Sequence, residues 1–135
     1  MKNIITTVSV FCLIFILNSC GKAPSEMIVG EWKIADLKTT QEISEDQLES
    51  HKEAIEDMKA SSSLVINADG TYENTISESV VKGKWSINED ATKLTLTDEE
   101  GNAEVSEIVE LSENKLTISK EVYEVTNTIF YEKKQ

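Results

Sequence analysis

Short segments of alternating apolar and polar residues run from residue 29 to the end of the chain. Such alternation is typical of strands with one buried face, and valine, isoleucine and threonine dominate these segments. Turn-forming residues separate them, as in the sequence NADG at 67–70 and the sequence EEGN at 99–102. The pattern predicts eight strands, mostly joined by hairpins, at residues 29–38, 63–67, 71–78, 80–87, 93–98, 103–111, 115–119 and 122–132.

One segment, residues 44–60, has helical spacing instead of alternation. Its apolar stripe, with residues at intervals of three and four, consists of Leu48, His51, Ile55 and Met58. Ser44 and Gln47 have the spacing of a capping box, which predicts that the helix begins there. The other faces are charged, so the stripe needs a partner, and the sheet is the candidate.

Eight antiparallel strands of this length can close into a barrel, which removes the exposed edges of the sheet. We therefore predict an all-β fold, an eight-stranded antiparallel up-and-down β-barrel with one α-helix inserted between strands 1 and 2. In this topology the helix and the turns near 77–79, 98–102 and 120–121 surround one mouth, and the N-terminal segment leaves from the opposite end. The interior of such a barrel is filled by side chains or holds one small ligand.

The N-terminus has the layout of a secretory signal peptide, with Lys2 followed by an apolar run shorter than the roughly 20 residues of a membrane-spanning helix. The sequence LNSC at 17–20 resembles a bacterial lipobox, in which cleavage before the cysteine leaves a thiol that carries a diacylglycerol. We expect residues 1–19 to be a lipoprotein signal peptide, Cys20 to be lipidated, residues 20–27 to be a tether, and residues 28–135 to form the barrel domain. An uncleaved membrane anchor is the alternative.

Lipidation of Cys20 has two consequences. Cys12 is removed with the signal peptide, so the mature chain has no free thiol for disulfide or metal-thiolate chemistry. Several acyl chains on one residue form a stable membrane anchor. We therefore expect the protein in the cell envelope, at the outer membrane, with the membrane as its first partner.

The charge of the chain is strongly negative, with a formal net charge of −12 and no arginine. This composition argues against nucleic acid as a partner, because nucleic-acid binding depends on lysine and arginine contacts to phosphates. It also argues against docking of the domain on anionic lipid headgroups.

Two Gly-x-Trp motifs, at residues 30–32 and 83–85, carry a family resemblance. The first resembles the motif that opens the first strand of lipocalins. With the sequences NADGTY at 67–72 and KLTL at 93–96, residues 28–132 resemble the lipocalin-like domains of small bacterial lipoproteins. The resemblance implies a calycin-type barrel but no particular ligand. Lipocalins usually stack an arginine on the first tryptophan, and Lys133 is the candidate replacement here.

Few residues in the sequence suggest a catalytic, metal-binding or ligand-binding role. Trp32 and Trp85 are expected as structural core at the barrel floor, with direct ligand contact as the alternative. His51 lies on the apolar stripe of the helix and is therefore expected to pack against the sheet. A single histidine without cysteine cannot form a zinc site. The sequence has no Ser-His-Asp or Cys-His set. We expect no enzyme activity, no metal and no cofactor.

Polar residues on otherwise apolar strand faces are the sharper signal. Buried polar groups need partners, so such residues pair with one another, reach water at the mouth or contact a ligand. A register bulge that turns them outward is the alternative. With the apolar residues of the helix, the candidate ligand-binding residues are Asn74, Glu107, Asn127, Leu48, Ile55 and Met58.

Two functions follow from these expectations. The first is an anchored envelope lipoprotein whose barrel binds a small, mainly apolar ligand under a helical lid. The second is a solid barrel that acts as an interaction or inhibitor module for another envelope protein. An interior cavity beneath the helix distinguishes the two.

Overall fold

The computed structural model of the protein describes residues 21–135. The predicted signal peptide, the removal of Cys12 and the lipidation of Cys20 lie outside the described residues. The eight strands of the barrel all lie within this part of the chain.

The described part of the chain opens with a short helix, α1, and continues through eight strands and one longer helix. A 3₁₀ turn at Glu45–Gln47 leads directly into α2. The bounds are α1 Pro24–Met27, β1 Gly30–Thr39, α2 Leu48–Ser61, β2 Ser63–Ile66, β3 Thr71–Ile76, β4 Ser79–Ile87, β5 Lys93–Asp98, β6 Ala103–Leu111, β7 Lys115–Val122 and β8 Val125–Lys133.

The strands form a closed antiparallel barrel in which each strand pairs with the next and β1 pairs with β8. The predicted up-and-down barrel, with one helix between the first two strands, is confirmed. Alternation was a sufficient signal because one face of nearly every strand is buried against the interior. The connection through α2 and the turns after β3, β5 and β7 lie at one end, called the mouth here. The chain enters at the opposite, closed end.

The hairpin between β7 and β8 differs from the prediction. The turn was expected at Lys120-Glu121, but β7 continues to Val122, which pairs with Val125. Tyr123 and Glu124 form the two-residue turn, with φ angles of 50° and 65°. Positive φ at both positions matches the right-handed twist of the flanking strands. Lys120 is therefore a strand residue.

The start of the helical segment also differs from the prediction. Ser44 makes no side-chain hydrogen bond to the backbone, so the predicted capping box does not form. Its hydroxyl donates instead to Gln47 Oε1 at 3.0 Å. Because the first turn is 3₁₀, the α-helix itself begins only at Leu48.

The apolar core fills the closed half of the barrel. Its buried residues come from six of the eight strands and from the segment just before β1. They are Ile28, Trp32, Ile34, Leu64, Ile66, Tyr72, Leu94, Leu116, Ile118 and Tyr131.

Two turns at the closed end share the pattern Asn-x-Asp-x-Thr. Asp69 Oδ1 accepts hydrogen bonds from the Thr71 backbone at 3.0 Å and from the Thr71 hydroxyl at 2.6 Å. Asp90 repeats both bonds with Thr92, at 3.3 and 2.6 Å. These bonds hold the pKa of each aspartate below its ordinary value. They fix the turns that position β3 and β5.

The position before the threonine has a left-handed backbone in both turns. Gly70 adopts φ +88°. Ala91 adopts φ 55° in the equivalent place. Glycine occupies this region without strain, whereas alanine does not.

Candidate functional site: the barrel mouth

The closed end of the barrel is sealed around Trp32, which has no exposed surface. Its indole Nε1 donates to the Ile28 carbonyl at 2.8 Å. Lys133 is its partner on β8, and the Lys133 ammonium lies 4.7 Å from the centre of the Trp32 ring. Lys133 therefore takes the place expected for the missing arginine.

The Lys133 ammonium also holds the entering chain. Its Nζ donates to the Met27 carbonyl at 2.7 Å and to the Val29 carbonyl at 2.9 Å. Burial lowers the pKa of Lys133, with Lys22 adding to the effect and Glu113 opposing it. A ligand has no route through this end.

Trp85 has a different environment from Trp32. It is half-buried, packs against the core and lies opposite Leu96. Its Nε1 donates to the Asn67 carbonyl at 2.8 Å, so it fastens the β2–β3 turn to β4.

The mouth half of the interior is open and has two lobes. The larger has a volume of about 380 Å³, and the smaller about 220 Å³. Both are bounded by Glu104 and Lys120, which therefore stand between them. The larger lobe is lined by Tyr72, Asn74, Ile76, Val81, Leu96 and Asp98. The smaller is lined by Ser106, Ile118, Asn127 and Ile129.

Glu104 and Lys120 form an ion pair, with 3.0 Å between Oε1 and Nζ. Glu104 pairs with Leu96 on the neighbouring strand, and both line the larger lobe. Lys120 lies opposite Asn127. Sequence reasoning missed both residues, because Lys120 was assigned to a turn and Glu104 lay on the strand face expected to point outward.

Glu107 is not in the mouth, which corrects the expectation that it points inward. The β6–β7 register shifts between Ile108 and Glu110, so a bulge changes the phase of alternation along β6. On the N-terminal side of the bulge, Ser106 is buried, whereas Val105 is 49% exposed and lies on the outer face of the strand with Glu107. Glu104 is the inward carboxylate of this strand.

Several polar side chains in the mouth have no hydrogen-bond partner within residues 21–135. Asn74 and Asn127 line different lobes, and neither side-chain amide is bonded to protein. Tyr72 is 5% exposed and Ser106 is 7% exposed, and both hydroxyls are likewise unpaired. Among residues 21–135 the one fully buried side-chain polar atom without a partner is Ser62 Oγ, so the unpaired groups of the mouth are open to the cavity and are available to water or to a ligand.

Apolar side chains near the open end are uncovered. Ile76, Val81 and Val122 each expose between 42% and 46% of their surface. Their strand partners show that they belong to the inward-facing rows of β3, β4 and β7. Polar groups deeper in the cavity and apolar groups near its opening together suit a molecule with both kinds of surface.

Carboxylates in and near the cavity act on the neighbouring tyrosine hydroxyls. Burial raises the pKa of Tyr72, and the charges of Asp98 and Glu104 raise it further. Burial and Glu104 likewise raise the pKa of Tyr131. Hydrogen bonds from Asn102 lower the pKa of Asp98, which is therefore a carboxylate at neutral pH.

Helix α2 lies beside the mouth, in contact with β1 and β3. Met58 packs against the core, Ile55 is half-buried, and Leu48 is 42% exposed. A cleft of about 160 Å³ separates the helix from β1, and His51, Ile55 and Asn127 are among its lining residues. Asn127 therefore joins this cleft to the smaller lobe.

Another depression lies on the outer surface. A groove of about 610 Å³ crosses β3, β4 and β5, where Lys82 and Glu73 form an ion pair at 3.0 Å. Gly83 forms part of the groove, and a Cβ at this position would overlap the Thr97 carbonyl. The glycine is thus required for the close approach of β4 and β5.

Residues 21–135 contain no cluster of three or more His, Cys, Asp or Glu side chains that could hold a metal ion. The same residues contain no helix with the length and hydrophobicity needed to span a membrane.

The closed barrel with an open, partly apolar mouth defines a fold suited to binding small ligands. The model of the lipocalin-like domain family matches residues 28–118. The chain therefore belongs to the lipocalin-like domain family, which is in general a family of binding proteins rather than enzymes. The search of curated proteins found no match.

Proposed function

We propose that this protein is a lipid-anchored envelope protein whose barrel mouth binds a small, mainly apolar ligand. The observation that carries the proposal is the unfilled mouth, where unpaired polar groups and uncovered apolar side chains face the same space. A solid barrel would bury or pair these groups. The protein has no catalytic role in this proposal.

The entering chain supports an orientation for the anchored protein. Helix α1 is tied to the closed end through Met27, and Lys22 forms an ion pair with Glu113 at 3.3 Å. Cys20 is only two residues before Lys22. A lipid on Cys20 would therefore hold the closed end near the membrane and direct the mouth toward the aqueous phase. The ligand would enter from that side.

A role as an interaction module is the second candidate, and Tyr123 favours it. This side chain is 96% exposed at the tip of the β7–β8 hairpin. Aromatic residues are enriched at protein interfaces, and an isolated exposed tyrosine on a turn is suited to one. The two functions differ in whether the cavity itself is occupied.

A titration with the neutral fluorescent probe N-phenyl-1-naphthylamine tests the first function. The protein is the chain from residue 20 with Cys20→Ser, which lacks the lipid but keeps every strand. Asn74→Phe fills the larger lobe and should weaken binding of the probe at least several-fold. Thr75→Phe is the matched control, because the neighbouring side chain points away from the interior.

The outcome separates the candidates. Binding that Asn74→Phe weakens and Thr75→Phe leaves unchanged supports a ligand in the mouth. An absence of probe binding, or equal loss in both variants, would contradict it. Tyr123→Ala should leave probe binding unchanged in either case.

A further inference from the structure

The charges around the mouth are distributed unequally. The three hairpin turns at this end, at residues 77–78, 99–102 and 123–124, contain glutamates and no lysine. These glutamates are Glu78, Glu99, Glu100 and Glu124. A rim of one sign concentrates ions of the opposite sign at a cleft and repels ions of its own sign.

The interior continues this charge distribution. Asp98 and Glu104 line the larger lobe, and Lys120 is the one cation among the lining residues of the two lobes. The carboxylates act on the hydroxyls beside the cavity, since Asp98 and Glu104 add to the effect of burial in raising the pKa of Tyr72, and Glu104 does so for Tyr131. An anionic ligand would therefore meet repulsion at the rim and again inside.

The acidic rim alone would not define a site, but two buried groups point to one. Ser106 and Tyr72 are both more than nine-tenths buried as residues and line the lobes, and their hydroxyl oxygens open onto the cavity without a hydrogen bond to residues 21–135. They provide hydrogen-bonding groups on either side of the Glu104–Lys120 pair. A ligand that reaches this depth meets polar groups as well as carboxylates.

We propose that the ligand is a cationic amphiphile, with an amine or quaternary ammonium group on an apolar body. This inference rests on the proposed ligand-binding function and specifies its ligand class. The ammonium group lies beside Glu104 and Asp98. The apolar body contacts Ile76, Val81 and Val122 near the opening.

A ligand of either charge must separate the Glu104–Lys120 ion pair, and the free-energy cost of doing so does not favour an anionic ligand over a cationic one. An ammonium ligand replaces Lys120 at Glu104, and the freed lysine, 40% exposed, turns toward water on its flexible stem. A carboxylate ligand replaces Glu104 at Lys120 and frees a glutamate that is 60% exposed. Both freed side chains can be hydrated again. The preference between a cationic and an anionic ligand is therefore set by the other charged residues around the mouth, which are acidic.

The test is competition against bound N-phenyl-1-naphthylamine, using the Cys20→Ser chain from residue 20. The competitors are dodecyltrimethylammonium and dodecanoate, which share a tail length and are used below their micelle concentrations. The cation should displace the probe at roughly tenfold lower concentration, and this preference should fall as salt rises. Equal displacement, or a preference for dodecanoate, overturns the inference.

Three variants locate the selectivity. Glu104→Gln should reduce the preference for the cation about threefold or more, and Lys120→Gln should increase it. Glu107→Gln makes the same charge change on the outer face of the same strand and should have little effect. If Glu107→Gln acts as strongly as Glu104→Gln, net charge rather than the cavity sets the preference, and the site assignment is wrong.

The ligand-binding function and the cationic ligand class are contradicted by different results. Failure of the neutral probe to bind overturns the ligand function and the inference with it. Probe binding in the mouth with preference for dodecanoate overturns the cationic ligand alone.

Discussion

Lys133 lies over the indole ring of Trp32, with its ammonium 4.7 Å from the ring centre, and donates to two carbonyls of the entering chain. One lysine thus joins the last strand, the first strand and the N-terminal segment. A cation over a partly desolvated ring contributes about 0.5–2 kcal/mol. Each hydrogen bond to a charged group adds about 1.5–3 kcal/mol.

Lys133→Met should lower the free energy of unfolding by about 1–3 kcal/mol, less than the sum of these contributions, because Lys133 is only partly buried and water can replace its hydrogen bonds to the two carbonyls. Urea unfolding measures the change. Lys134→Met is the control, since Lys134 makes only a surface ion pair with Glu31 and should cost about 0–1 kcal/mol. Equal effects from both variants would mean that the closed end does not depend on Lys133.

The two tryptophans should differ in their contributions. Trp32→Ala removes a fully buried side chain and should cost about 3–5 kcal/mol, a large part of a total stability of about 5–15 kcal/mol. Trp85→Ala should cost less, because Trp85 is only half-buried. Thermal melts of both variants and of Trp85→Phe measure this order. A larger loss for Trp85→Ala would contradict the division into a closed half and an open half.

The strained turn at Ala91 offers a stabilising substitution. Ala91→Gly should raise stability by about 0.5–1 kcal/mol, because glycine accepts the left-handed backbone that alanine resists. Gly70→Ala, in the equivalent turn, should lower stability by about 1 kcal/mol, although no atom blocks its Cβ. Ala68→Gly adds flexibility without relieving strain and should destabilise slightly. A destabilising Ala91→Gly would show that the turn does not hold this backbone.

Helix α2 should show a gradient of stability effects along its apolar stripe. Met58→Ala should cost about 1–2 kcal/mol, less than the 2–5 kcal/mol of a fully buried methionine, because Met58 packs only partly on the core. Leu48→Ala should change stability by less than about 0.5 kcal/mol, since the side chain is largely exposed. Urea unfolding measures both. If Met58→Ala has no effect, the C-terminal end of the helix is not held on the barrel.

Strand periodicity predicted most of this fold for a physical reason. A barrel strand has one face in the interior and one in solvent, so its residues alternate between apolar and polar as their side chains alternate between the two faces. The strand bounds predicted from the sequence agree with those of the structure within about three residues, and the predicted bounds of β5 and β6 are identical to the observed ones. The exception is the β7–β8 turn, where Tyr123 and Glu124 lack the asparagine or glycine that usually marks positive φ.

The mouth was harder to predict than the fold. Alternation of Val105, Val109 and Leu111 looked continuous, and nothing in those residue types marks the bulge that turns Glu107 outward. Glu104 and Lys120 are charged residues near strand ends, which normally face solvent. The phase of Leu116 and Ile118 was the available signal, because extending it by two residues places Lys120 inside.

The central claim is that a ligand occupies the mouth, and NMR of the asparagine side-chain amides tests it most directly. Asn74 and Asn127 line the two lobes, whereas Asn67 and Asn88 lie in turns at the closed end. Titration of the ¹⁵N-labelled Cys20→Ser chain with N-phenyl-1-naphthylamine should shift the amide signals of Asn74 and Asn127 and leave those of Asn67 and Asn88 in place. Unchanged signals from Asn74 and Asn127, while residues of the outer groove such as Glu73 and Lys82 shift, would contradict the account.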